Sequence, residues 1–137
     1  MFFDGTVEAV FSDLLGVHEG RKVNDGTGFI KSETYERDTI EAVESYLKGY
    51  AEFGLTGPLA LSMAILGCRG SYMSSRGSRH GRQHPIDRDA IVLPDVVTDD
   101  MNVDIPQVMK PLFDGVWNAC GYPYSLNYDE DGNWKPR

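Results

Sequence analysis

Between Phe53 and Ile86 the sequence contains no aspartate or glutamate, while Arg69, Arg76, Arg79, Arg82, His80 and His84 accumulate, with Arg88 just beyond. Guanidinium groups fork onto phosphate oxygens in pairs, and the intervening glycines and serines let backbone amides approach an anion. The five arginines Arg69, Arg76, Arg79, Arg82 and Arg88 are therefore the candidate contacts for nucleic acid or for an acidic protein. Base stacking would need aromatic residues among them, and only Tyr72 is at hand. A disordered, solvated hairpin tip whose charge only keeps it soluble, balanced by the acids at Asp87, Asp89, Asp99 and Asp100, accounts for the same composition.

Other side chains suggest weaker chemistry. Asp87, Asp89 and His84, with Asp95 farther off, have the residue types of a hydrolase centre holding a hard divalent cation. Solvated carboxylates at a strand entry explain them more simply. His80 and His84 stand four apart, but Gly81 between them and arginines on both sides disfavour a helix and a bound cation alike. Asp129, Glu130 and Asp131 lack calcium-loop spacing and read as a polar turn. Cys68 and Cys120 have no CxxC or zinc-finger context and read as buried free thiols. There is no GxSxG, no GxxxxGK[ST] and no GxGxxG after a strand, so the sequence suggests no catalytic residue and no cofactor.

The segments that must position these residues begin with length and charge. The 137 residues are 41% hydrophobic, enough to form one core but hardly two, and a single domain over 1–137 is expected. A formal net charge of −8 disfavours general adhesion to polyanions or anionic membranes, so binding of that kind would be local to the arginine segment. Nothing resembles a signal peptide or membrane span, which points to a cytoplasmic protein.

Phe2 to Phe11 reads as a turn entering a short strand, and Gly16 to Gly28 as a polar surface loop. A helix is expected from Glu33 to Phe53. Ser32 would be its N-cap, Glu33 and Glu36 first-turn acids, and Ile40, Val43, Leu47 and Tyr50 an apolar stripe at 3,4,3 spacing, with Gly54 the stop. Leu59 to Cys68 is so continuously apolar that a strand buried on both faces is expected, with a helix the alternative that periodicity alone leaves open. The run GSYMSSRGSRHGRQHP offers little to a core and reads as a mobile loop. Ala90 to Val97 reads as an antiparallel partner strand interrupted by Pro94, at an edge or a bulge.

Asp104 and Gln107 have capping-box spacing before a second helix. Pro111 either kinks that helix or starts another, and Leu112, Val116, Trp117 and Cys120 form the stripe that ends at Gly121. The tail from Tyr122 carries Tyr124, Tyr128 and Trp134, expected to pack across the surface as coil, with self-association through them a lesser alternative. The fold class is α+β, a small antiparallel sheet packed against two main helices.

Several runs also suggest a family. FFDGTVEAV, YERDTIEAVESYLKGY, SMAILGCRG, PIDRDAIVLPDVV and above all PLFDGVWNACGYPYSLNYDEDGNW, in this order, resemble the C-terminal region of bacterial proteins with an N-terminal Schlafen-type, AlbA-like DNA-binding domain. Such proteins are often described as ATP-binding or helix-turn-helix proteins. The resemblance covers most of the chain, but the defining DNA-binding domain has no counterpart here, so no functional residue transfers. It implies a C-terminal accessory domain of a longer nucleic-acid-associated protein, with an N-terminal partner domain or a second copy as further partners. The ATP-binding description does not extend to a segment without a phosphate loop.

Overall fold

The computed structural model describes residues 5–12, 14–16, 28–74 and 84–136. Its architecture is α+β: two helices packed against short, mostly antiparallel strand pairs. Strand β1 (Leu15–Gly16) pairs antiparallel with β2 (Phe29–Lys31), which runs directly into helix α1 (Ser32–Glu52). Strands β3 (Leu59–Leu61) and β4 (Ala64–Leu66) follow, then β5 (Tyr72–Ser74), β6 (Ala90–Val92), β7 (Val96–Thr98) and helix α2 (Ile105–Ala119).

Helix α1 forms where the apolar spacing places it, but its start differs. Lys31 occupies the N-cap position without a side-chain capping bond, and Ser32 is already helical and buried. A strand that passes straight into a helix leaves the serine no turn in which to cap. The helix ends at Phe53, and Gly54 takes the left-handed conformation (φ +67°) expected of a stop. In α2, Asp104 is the N-cap and its carboxylate accepts from the Gln107 amide at 3.4 Å. Pro111 lies inside one continuous helix; its exposed position removes a backbone bond on the solvent side only.

The apolar run after Pro58 does not form one strand. β3 pairs with β7 from Leu59↔Thr98 to Leu61↔Val96, and β4 pairs with β6 from Ala64↔Val92 to Leu66↔Ala90. Ser62 and Met63 therefore face Leu93, Pro94 and Asp95, a bulge with one extra residue on the proline-bearing side. Proline has no N–H to leave unpaired, so it fits there. The two segments form one bent antiparallel ribbon. Its inner side chains, Leu59, Ile65, Ile91 and Leu93, are buried, while Leu66 and Val92 on the other face are exposed. Burial on both faces, expected from the sequence, is thus corrected to burial on one.

Two further expectations change. Residues 5–11 form no strand, and Val10 and Phe11 are exposed; the nearest strand is β1. The start of the glycine- and serine-rich run is ordered: β5 adds parallel to β2, with Ile30 opposite Met73, both fully buried. Two apolar residues in extended geometry beside an existing strand suffice to recruit it, and this is the one parallel pair among the described strands. The remainder of that run, residues 75–83, and the expected loop at 17–27 lie outside the described residues.

The core lies between α1, α2 and the inner face of the ribbon, around Phe113, Val116 and Trp117. Helix α2 approaches the ribbon closely at Gly115, where an added Cβ would lie 2.4 Å from Leu93 Cδ2. Among the described residues no helix is long and apolar enough to cross a membrane.

Candidate functional site

The arginine segment leaves the ribbon at the end of β4 and returns before β6. At this root Arg69 forks onto Asp89, with Nε to Oδ1 at 2.8 Å and Nη2 to Oδ2 at 3.3 Å, and Nη1 donates to the Asp87 carbonyl at 2.6 Å. Arg88 Nε donates to Asp87 Oδ1 at 2.8 Å. Hydrogen bonding to these guanidiniums holds both carboxyls below their ordinary range and raises both arginines. Two of the five candidate cations thus meet the chain's own carboxylates. Both side chains remain about 60% exposed. Exposed ion pairs of this kind are screened by water and salt, so a phosphate can compete for the guanidinium. Arg76, Arg79 and Arg82, with His80, lie outside the described residues.

The arrangement at the root bears on the hydrolase alternative. Asp87 and Asp89 are each held by an arginine, and Asp95 accepts from Ser62 Oγ at 2.6 Å. His84 packs against the backbone of Gly121, where a Cβ would lie 2.6 Å from its Cδ2. Among the described residues no three His, Cys, Asp or Glu side chains gather as a metal would require. Cys68 and Cys120 are free and buried. Burial raises the Cys68 thiol and pushes Cys120 up to about 11, so neither is a ready nucleophile at neutral pH.

The most elaborate polar centre is one the sequence reading assigned to a helix end. Glu36 is fully buried. Its Oε1 accepts from Trp117 Nε1 at 2.8 Å and Ser125 Oγ at 2.7 Å; its Oε2 accepts from Asn127 Nδ2 at 2.9 Å and Trp134 Nε1 at 2.8 Å. The Tyr35 hydroxyl adds a longer contact at 3.5 Å. A carboxylate has about four acceptor sites, and four strong donors occupy them. This is an internal keystone with no valence left for a substrate: it joins α1 to α2 and to the tail. Position 36 lies four residues before Ile40, on the same stripe as Val43 and Leu47. An acid on an apolar stripe was the legible signal.

The tail is fastened by the same logic. Ser125 and Asn127 are buried while Tyr124 and Leu126 between them face outward. Asp114 Oδ1 accepts the Ser125 amide at 2.8 Å, and the Tyr128 hydroxyl donates to the Pro106 carbonyl. Lys110, paired with Asp114 at 2.6 Å, sits over the rings of Tyr124 and Tyr128. The Asp129 turn closes back on itself: its carboxylate accepts the Asn133 amide at 2.8 Å and pairs with Lys135 at 2.6 Å. Tyr128 and Trp134 therefore make intrachain contacts.

No family model, curated protein or solved structure matches the chain.

Proposed function

We propose that the chain is a noncatalytic interaction module whose arginine-rich segment, rooted at Arg69 and Arg88, contacts the phosphates of a nucleic acid. The supporting observation is the root itself. Two arginines stand exposed where the segment joins the ribbon, each held by a surface carboxylate in a weak, exchangeable pair. Phosphate offers the same bidentate geometry with more charge, so exchange favours a polyanion that spans several arginines. An otherwise anionic body would repel that ligand elsewhere and restrict contact to this segment.

The resemblance to the C-terminal region of Schlafen-type, AlbA-like proteins agrees with this role. On that reading the chain is a cytoplasmic accessory domain beside a nucleic-acid-binding domain in a bacterial protein.

Anisotropy of a labelled DNA duplex, titrated over a range of salt concentrations, tests the proposal. Replacing Arg76, Arg79 and Arg82 by alanine should weaken binding and reduce the salt slope by about one for each lost phosphate contact. Circular dichroism should be unchanged. Equal affinity and slope in the triple variant would remove the segment from the interface; binding only to acidic peptides would replace nucleic acid by protein as the ligand.

A further inference from the structure

The ribbon has a largely apolar face that no described residue covers. Strands with one wet face alternate apolar and polar residues, whereas strands covered on both faces are continuously apolar. LALSMAIL and AIVLPDVV, which form the two sides of the ribbon, are of the second kind apart from Ser62, Pro94 and Asp95 at the bulge. One face packs on the core. The other presents Leu66, Val92 and Val97 at 72%, 77% and 65% exposure, with Ala60 and Ala64 exposed between them.

The surroundings of this face have a sign. Asp99 and Asp100 follow β7 at one end, and Asp95 stands at the bulge; all three are exposed. Asp95 accepts from Ser62 Oγ and Asp100 from the Asn102 amide, both neutral, and none of the three is in an ion pair among the described residues. At the opposite end the charges cancel in the Arg69–Asp89 and Arg88–Asp87 pairs. The face is therefore apolar at Leu66, Val92 and Val97, crossed at the bulge by the polar Ser62–Asp95 pair, and anionic beyond β7, while the described charges at the opposite end are paired.

We infer that this face docks an amphipathic, lysine- or arginine-bearing helix of a partner protein. From Ala60 to Leu66 the ribbon extends about 20 Å, the length of roughly 13 helical residues. Two strands about 5 Å apart form a strip that one helix of about 10 Å diameter covers. Apolar residues on one helical stripe would meet Leu66, Val92 and Val97, a cation near the middle would meet Asp95, and cations at one end would meet Asp99 and Asp100. A second copy fits less well. It has the same charge of −8, and a stack that sets the alanine-lined strand of one copy over the valine-lined strand of the other brings the acidic ends together. The test of this surface does not depend on nucleic-acid binding.

The test uses the full chain with labelled methyl groups and two synthetic helical peptides of about 14 residues. They share a leucine/alanine stripe and differ in carrying lysines or glutamates. The lysine peptide should shift the methyls of Leu66, Val92 and Val97 and bind at least tenfold more tightly than the glutamate peptide. Asp99→Asn with Asp100→Asn should narrow that difference, and Leu66→Ser with Val92→Thr should abolish binding. No shift at these methyls, shifts confined elsewhere, or equal affinity for both peptides would overturn the inference. So would a mass in solution that doubles with concentration and reverts in the Leu66→Ser, Val92→Thr variant, since a second copy would then cover the face. The wild-type methyl readout decides the question even if a variant fails to fold.

Discussion

At the scale of single residues the molecule depends most on Glu36. Its carboxylate is buried, pairs with no cation among the described residues, and is stabilised by four neutral donors from α2 and the tail. Glu36→Ala leaves two indole N–H groups, a hydroxyl and an amide without their acceptor. At ~1–3 kcal/mol for each unsatisfied buried group, and allowing for relaxation, the expected loss is about 3–5 kcal/mol in urea unfolding. Glu36→Gln preserves shape but turns an amide NH2 toward donors on one side, and should cost about 2–4 kcal/mol. A glutamine variant within 0.5 kcal/mol of wild type would show that the carboxylate is dispensable. Asp129 carries a pH dependence of definite sign. Its bond to Lys135, then that to the Asn133 amide, lowers it from an ordinary 3.8 to about 2. The folded form therefore gains stability above pH 3.8 and loses that gain as pH falls toward 2. Unfolding followed between pH 5 and pH 2 should show this acid loss diminished in Asp129→Asn; an identical loss would assign it to other carboxyls.

At the scale of elements, the tightest junction is that between α2 and the ribbon at Gly115 and Leu93. Gly115→Ala gains about 1 kcal/mol of helix propensity but forces a methyl against Leu93, and overpacking costs ~1–3 kcal/mol. The expected balance is a net destabilisation of about 1 kcal/mol. Leu93→Val makes room for the methyl, so the double variant should be more stable than the sum of the two single changes; strict additivity would mean that the backbone gives way. The two helices were legible because their stripes and stops are local: Ile40, Val43 and Leu47 before Gly54, and Asp104 with Gln107 before Leu112 and Val116. The interruption at Pro94 was legible for the same reason. Strand β5 was not, since Tyr72 and Met73 become a strand only through a neighbour more than forty positions earlier. The centre around Glu36 was half legible. The stripe placed the acid inward, but its donors come from positions 81 to 98 residues away.

Across the whole molecule, both thiols report on the integrity of the fold. Cys68 and Cys120 are inaccessible and raised by burial. A thiol reagent at neutral pH should label neither until denaturant opens the structure, and both should then react with the unfolding transition. Rapid native-state labelling of Cys120 would show that α2 opens at its C-terminal end. The arginine composition of the proposed interface was legible because charge is counted directly from sequence. That Asp87 and Asp89 could balance the arginines was legible too, but which arginine each takes was not, because Asp89 reaches Arg69 only when the ribbon closes.

The contacts of Glu36 also order events during synthesis. A nascent chain leaves the ribosome N-terminus first, so this glutamate emerges long before the indole of Trp134, 98 positions later. Until that indole arrives, burying the first helix would strand an anion away from water, and the early half of the polypeptide has reason to wait. Docking of this helix should wait for the segment from Ser125 to Trp134, and a chain stopped short of Asn127 would retain a hydrated, undocked helix.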